Sequence, residues 1–170
     1  MWGARLRDAG AAGARCEGGS VAVFLSTFIN KLDRKGRISV PATFRAALQD
    51  SSYAGIVVFR AVKHPAIEAA AMDRMEELSR RIDQLAEMSD ERDALSALLA
   101  DARQLTFDTE GRIMLPADLA KHAGIGGSAA FVGRGPTFQL WEPEALKRHQ
   151  DEMRTRIRTL GLTLPPRETP

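Results

Sequence analysis

Cysteine is nearly missing from this chain of 170 residues: Cys16 is the only one. One thiol excludes an internal disulfide framework and a cysteine-built zinc site, and it suits a reducing cytosol. Long apolar runs are missing as well. No stretch approaches the roughly 18 consecutive apolar residues that a membrane span needs, and no apolar core follows Met1 as a signal peptide would require. Net charge is small, with 24 Lys+Arg against 22 Asp+Glu, so the total does not predict nucleic-acid binding, which would have to come from how the charges are distributed. Catalytic signatures are lacking too. His64, His122 and His149 are scattered, with no HExxH, no GxSxG, no phosphate-binding loop and no cysteine beside a histidine. Gly124–Gly127 and Gly133–Gly135 read as turns, because neither opens a helix as a phosphate site does. Glu76, Glu77 and Asp83 stand near Arg80 and Arg81 at the spacing of solvated helical ion pairs. The chain is therefore not expected to be an enzyme, and no metal or cofactor is expected.

What is present is a soluble, globular composition, 44% hydrophobic and 27% charged. The length suits one domain or two small intertwined halves. Residues 1–22 are expected to be a disordered leader or to precede the true start. Glu17-Gly18 can be encoded by a purine-rich run resembling a ribosome-binding sequence, with Val21 or Val23 as a GTG start. The domain division expected after that leader is a first repeat at 23–78, a helical insert at 79–104, a second repeat at 105–161 and a tail at 162–170.

The repeat is explicit. Asp33-Arg34-Lys35-Gly36-Arg37-Ile38-Ser39-Val40-Pro41-Ala42 recurs 75 residues later as Asp108-Thr109-Glu110-Gly111-Arg112-Ile113-Met114-Leu115-Pro116-Ala117, with six of ten positions identical. Each copy predicts a tight hairpin, with Asp33 or Asp108 accepting backbone N–H bonds and Gly36 or Gly111 supplying the left-handed conformation. Ile38 and Val40 should face a core while Arg37 and Ser39 face away. Pro41 and Pro116 should open short helices at 43–48 and 118–123 from their first position. Strands at 56–59 and 129–132 follow, and then a helix announced by Pro65 or Pro143. A helical segment is expected from Ala66 to about Arg103, striped by Ile67, Ala71, Met75, Leu78, Ile82 and Leu85. Ser89 should break it as an N-cap before Leu95, Leu98 and Leu99 resume the stripe. The last helix should run from Pro143 to a stop at Gly161.

Charge separates the copies. Residues 31–45 hold Lys31, Arg34, Lys35, Arg37 and Arg45 against Asp33 alone, a net of +4, whereas 106–120 hold Arg112 against Asp108, Glu110 and Asp118, a net of −2. Clustered cations on a protruding ribbon neutralise phosphates, and a two-stranded ribbon fits a major groove. A charged turn is also commonly no more than a solvated turn. Asp33 can pair with Arg37 for the sake of the fold, since the same pair recurs at Asp108 and Arg112. Arg34 and Lys35, replaced by Thr109 and Glu110, have no such structural duty.

The doubled Asp-x-x-Gly-Arg, together with Leu32 to Ala42, Phe131-Val132-Gly133-Arg134-Gly135 and Phe138-Gln139-Leu140-Trp141-Glu142-Pro143, resembles the MraZ family of bacterial transcriptional regulators over about residues 23–160. The resemblance implies an α+β swapped-hairpin barrel similar to AbrB and MazE, made from two halves of one chain. It also implies a ring homo-oligomer in the cytoplasm, associated with the nucleoid, that binds double-stranded DNA upstream of its own division and cell-wall gene cluster as a repressor. Carried over by position, Lys31, Arg34, Lys35 and Arg37 would contact DNA, Arg37 foremost, with Arg45 in the same basic cluster. Asp33 and Gly36 would shape the hairpin. Asp108, Gly111 and Arg112 would form a structural or auxiliary second motif, and the cationic helix face of Lys147, Arg148, Arg154, Arg156 and Arg158 would be solvated or assist on phosphate. Two other readings remain open at this point: an oligomeric scaffold without nucleic acid, and an antitoxin of the same barrel superfamily.

Overall fold

The computed structural model describes residues 22–161. The expected leader, Cys16 included, and the tail at 162–170 lie outside the described residues, apart from Ala22. Element order follows the repeat. The first copy supplies β1 (Thr27–Lys31), β2 (Arg37–Ser39), α1 (Ala42–Ala47), β3 (Gly55–Arg60), β4 (Ile67–Ala70) and α2 (Met72–Asp83). After α3 (Asp90–Asp101), the second copy supplies β5 (Arg103–Thr106), β6 (Arg112–Met114), α4 (Ala117–His122), β7 (Ser128–Gly133), β8 (Phe138–Trp141) and α5 (Pro143–Leu160). The fold is α+β, with an antiparallel six-stranded sheet in the order β1-β7-β8-β4-β3-β5 and a separate two-stranded ribbon β2-β6.

The pairing crosses between copies. β1 lies on β7, from Thr27 opposite Val132 to Lys31 opposite Ser128, and β5 lies on β3. β2 pairs with β6, Arg37 opposite Met114, Ile38 opposite Ile113 and Ser39 opposite Arg112. The tight turns expected at both motifs form, but the strands leaving them pair with each other instead of extending a hairpin on their own lead-in strands. Beyond the turn itself, β2 is joined to its own lead-in strand by the bridge of Leu32 with Ile38 and by the side-chain bond from Asn30 to the Ser39 carbonyl. The reason is burial: each three-residue strand has a single inward side chain, Ile38 or Ile113, and setting the two opposite each other closes the core with both sealed from water.

Sheet alternation creates two faces. The inner face carries Phe131, Phe138, Leu140, Ile67, Ala69, Ile56 and Val58, packed with Phe24, Phe44, Leu119 and the ribbon's Ile38 and Ile113. Edge-to-face and tilted ring pairs knit this core, among them Phe24–Phe138 at 4.8 Å and Phe28–Phe44 at 5.5 Å. The outer face is covered in two places, by α5 over Ala130 and Trp141 and by α2 over Val57 and Ala70. Between those patches runs a polar strip. Buried Gln139 donates to Glu68 at 2.5 Å and accepts from the Trp141 indole at 2.8 Å and from Arg134 at 3.0 Å.

Two expectations about proline need correction. Pro41 and Pro116 are N-caps with extended ψ of 138° and 133°, not first helical residues, and the short helices run from Ala42 and from Ala117 directly after them. Pro65 does not announce a helix. Ile67–Ala70 is a central strand between β3 and β8, with Glu68 on the polar strip and Ile67 and Ala69 inward. The helical segment expected from Ala66 instead begins at Met72 and ends at Asp101. Ser89 does cap α3, accepting from Arg92 N–H at 3.2 Å, but no residue of α3 is fully buried. Pro143 begins α5 behind Glu142, whose carboxylate caps two N–H groups, and Gly161 ends it in the left-handed conformation.

Candidate nucleic-acid interface

Turn one is built around a single carboxylate. Oδ1 of Asp33 accepts from the backbone N–H of Lys35 at 2.8 Å and of Arg37 at 2.9 Å, and Oδ2 takes the Arg37 guanidinium through Nε at 2.7 Å and Nη2 at 2.6 Å. Gly36 supplies the φ of 79° that lets its N–H return to the Asp33 carbonyl, 3.0 Å away. The Arg37 N–H and side chain hold the Asp33 carboxyl down, from the usual 3.8 to about 2. Arg37 is thereby both braced and aimed. Around it stand Lys31, Arg34 and Lys35, all exposed, and among the described residues none of the three forms an ion pair.

Turn two repeats the brace. Asp108 accepts from the N–H of Glu110 and of Arg112, each at 2.9 Å, and from Arg112 Nε at 2.8 Å, with Gly111 at φ 72°. Asp108, like Asp33, is pushed below the ordinary carboxylate range, first by the Arg112 N–H. The cations differ. Arg112 Nη1 is held by the Glu110 carboxylate at 2.5 Å, a second acid that Arg37 lacks among the described residues.

The ribbon joins the two sites. With Ile38 and Ile113 inward, the outward face of β2-β6 presents Arg37, Ser39, Arg112 and Met114, and the two arginines lie diagonally across a pseudo-twofold axis. Asn30 reaches over from β1 to donate to the Ser39 carbonyl at 2.7 Å. Lys31, Arg34, Lys35 and Arg37 are thus brought together. Arg45 is not with them: it donates to the Val40 carbonyl at 3.2 Å, and its guanidinium lies over Gly111 of turn two, where a Cβ would come within 2.6 Å of it. Asp118 also leaves turn two, binding Arg103 and Arg60 in a network that reaches Asp101 of α3. The diagonal arginine pair and the exposed Met114 were invisible in the sequence because they depend on β2 meeting β6. The matching Ile38 and Ile113 in the repeated phrase were the only signal.

No group of three metal-ligating side chains occurs among the described residues, and none of the described helices is long and apolar enough to cross a membrane. The family model described as "MraZ protein, putative antitoxin-like" matches residues 98–158. The "Transcriptional regulator MraZ" of Pelagibacter ubique is 46% identical over 127 residues, covering 74% of this chain and 82% of that protein. The protein of the same name from Gluconacetobacter diazotrophicus is 47% identical over 146 residues, covering 84% and 92%, and that of Rickettsia canadensis is 41% identical over 128, covering 75% and 86%. At these identities, over most of both chains, and with both Asp-x-x-Gly-Arg turns formed, the chain belongs to the MraZ family, one of transcriptional regulators and not of enzymes.

Proposed function

We propose that this chain is a sequence-specific, DNA-binding transcriptional repressor that acts in the cytoplasm, at the nucleoid, on the region upstream of its own division and cell-wall gene cluster. Its DNA-binding residues are Lys31, Arg34, Lys35 and Arg37, with Arg45 on the flank beside turn two. The observation that carries this reading is the charge state of turn one: three exposed cations, without ion pairs among the described residues, surround an arginine already held in place by Asp33. Free cations release counterions when they meet phosphate, and a braced arginine forms a bidentate contact with guanine at lower entropic cost. The relatives' shared name supports the regulatory part of the reading.

The proposed architecture is a swapped-hairpin barrel of two repeats, 23–78 and 105–161, around a helical insert at 79–104. The exchange of β1 and β5 between repeats supports it. One such turn per subunit is a small grip. A ring homo-oligomer engaging tandem sites turns later contacts into intramolecular ones and multiplies affinity.

The test is binding of the purified chain to duplex DNA from directly upstream of its own gene, at two salt concentrations, beside an unrelated duplex. Preferential, salt-sensitive binding that Arg37→Ala abolishes is expected. The same low affinity for both duplexes in dilute buffer would leave an oligomeric scaffold instead.

A further inference from the structure

Turn two copies turn one through its brace: the Asp108–Arg112 contact, the two backbone N–H bonds to Asp108 and the left-handed glycine all match. The differences are at the two middle positions and at one guanidinium nitrogen. Arg37 meets a carboxylate through Nε and Nη2 only, whereas Arg112 has a second carboxylate, Glu110, on Nη1. Resting on the DNA-binding reading above, we infer that Glu110 is an internal stand-in for a DNA phosphate. It occupies the edge of Arg112 that would otherwise meet the duplex, so the second Asp-x-x-Gly-Arg turn contributes no arginine of its own to the grip.

Three observations carry this. First, Arg112 shares the outward ribbon face with Arg37, so its position does not remove it from the proposed interface. Second, the bond from residue 110 to Asp108 comes from its backbone N–H, and the Glu110 carboxylate is spent on Arg112 alone among the described ion pairs. Third, the acids facing Arg112 are Asp108, Glu110 and, from the other turn, Asp33, so the arginine sits among negative charge that repels a phosphate. Asp108 and Asp33 belong to the braces; Glu110 is the addition. At the ribbon's paired arginines, this one carboxylate makes the two sides unequal, which gives each subunit a fixed orientation on the duplex.

The experiment measures binding of the full chain to its upstream duplex from about 50 to 200 mM salt, for wild type, Glu110→Gln, Glu110→Gln with Arg112→Ala, and Glu87→Gln. The last removes an acid from the remote α2–α3 connection and reports the general effect of one less negative charge. Circular dichroism should show all four folded alike, since the backbone N–H bonds of residues 110 and 112 to Asp108 survive both substitutions. Glu110→Gln is expected to bind more tightly than wild type and Glu87→Gln, and to steepen the plot of log affinity against log salt by about 0.9 per engaged subunit, about a threefold larger loss across that range. Removing Arg112 should erase the gain. A Glu110→Gln slope equal to that of wild type or of Glu87→Gln, or a gain that persists without Arg112, overturns the inference while wild-type binding leaves the parent reading standing. Wild type that binds no DNA overturns both.

Discussion

Asp33 commits both carboxylate oxygens to its own turn, and that makes the turn's acid stability a property of one residue. A carboxyl whose folded-state pKa is depressed contributes stability above its ordinary pKa and loses it as pH falls toward the folded value. Here the window runs from 3.8 down to about 2. An NMR titration of the Asp33 side chain should give a midpoint near the lower figure, and a midpoint near 4 would mean that the brace is not formed in solution. Gly36 is the other fixed point. A Cβ there would find ordinary room, 3.8 Å from Met114 and from the Leu115 carbonyl. Gly36→Ala should therefore cost only the left-handed backbone penalty, about 1–2 kcal/mol in denaturant unfolding. Gly111→Ala should cost a similar penalty, because the atoms nearest its new methyl are the flexible end of the Arg45 side chain, which can swing aside. A much larger loss would show that the Arg45 guanidinium is fixed on turn two.

Single elements were legible where their signals are local. The turns, the Ser89 cap and the end of α5 at Gly161 all follow from residues within four positions of one another, and the structure has each of them. β4 was not legible. Ile67 and Ala71 fit a helical stripe as well as a strand, and only pairing with β3 and β8, set by distant sequence, decides for the strand. Arg45 was misplaced for the same reason: its neighbour in space is 66 residues away, at Gly111. Two predictions belong to this scale. Arg34→Ala with Lys35→Ala removes the two cations that the turn does not need, so under the proposed function the salt slope should fall by about 1.8 per engaged subunit while the melting temperature holds. An unchanged slope would mean that these side chains do not touch phosphate.

The second concerns α5, which docks through His149 stacked on Trp141 at 4.8 Å, with His64 of the β3–β4 connection 4.4 Å from His149. Burial, then His149, Arg134 and Lys63, hold the His64 pKa below the usual imidazole value, against the opposing pull of Glu68. A base with a depressed folded pKa binds more protons when unfolded, so stability is full above about pH 6.5 and declines as pH falls below it. Thermal melts between pH 7.5 and 5.5 should show that decline, and His64→Gln should flatten it. A decline of the same size in the variant would place its origin elsewhere.

At the scale of the whole molecule, the decisive feature is that neither repeat keeps its own first strand. β1 has its partner in β7 and β5 in β3, β2 has only β6, and the remaining cross-copy seam is β4 on β8. The main core draws on both copies, with Phe24 and Phe44 of the first against Phe131 and Phe138 of the second. A repeat alone would expose the apolar halves of every one of these seams, so the unit of folding is the pair. The covalent link between them is slight by comparison: the connection from Gln84 to Ser89 carries Met88 at 96% exposure, and α2 and α3 lie on either side of it. Cutting an exposed loop changes chain entropy and leaves packing in place. A protease site placed at residues 86–88 should therefore be cleaved without loss of circular dichroism, and the two fragments should elute together under native conditions. The nicked protein should melt at a temperature that rises with its concentration, because its folding is now bimolecular. Each fragment purified from denaturant should stay unfolded by itself and regain the native spectrum on mixing. A fragment that folds alone would show that one repeat can close its sheet without the other, and the exchange of strands would then be dispensable to the fold.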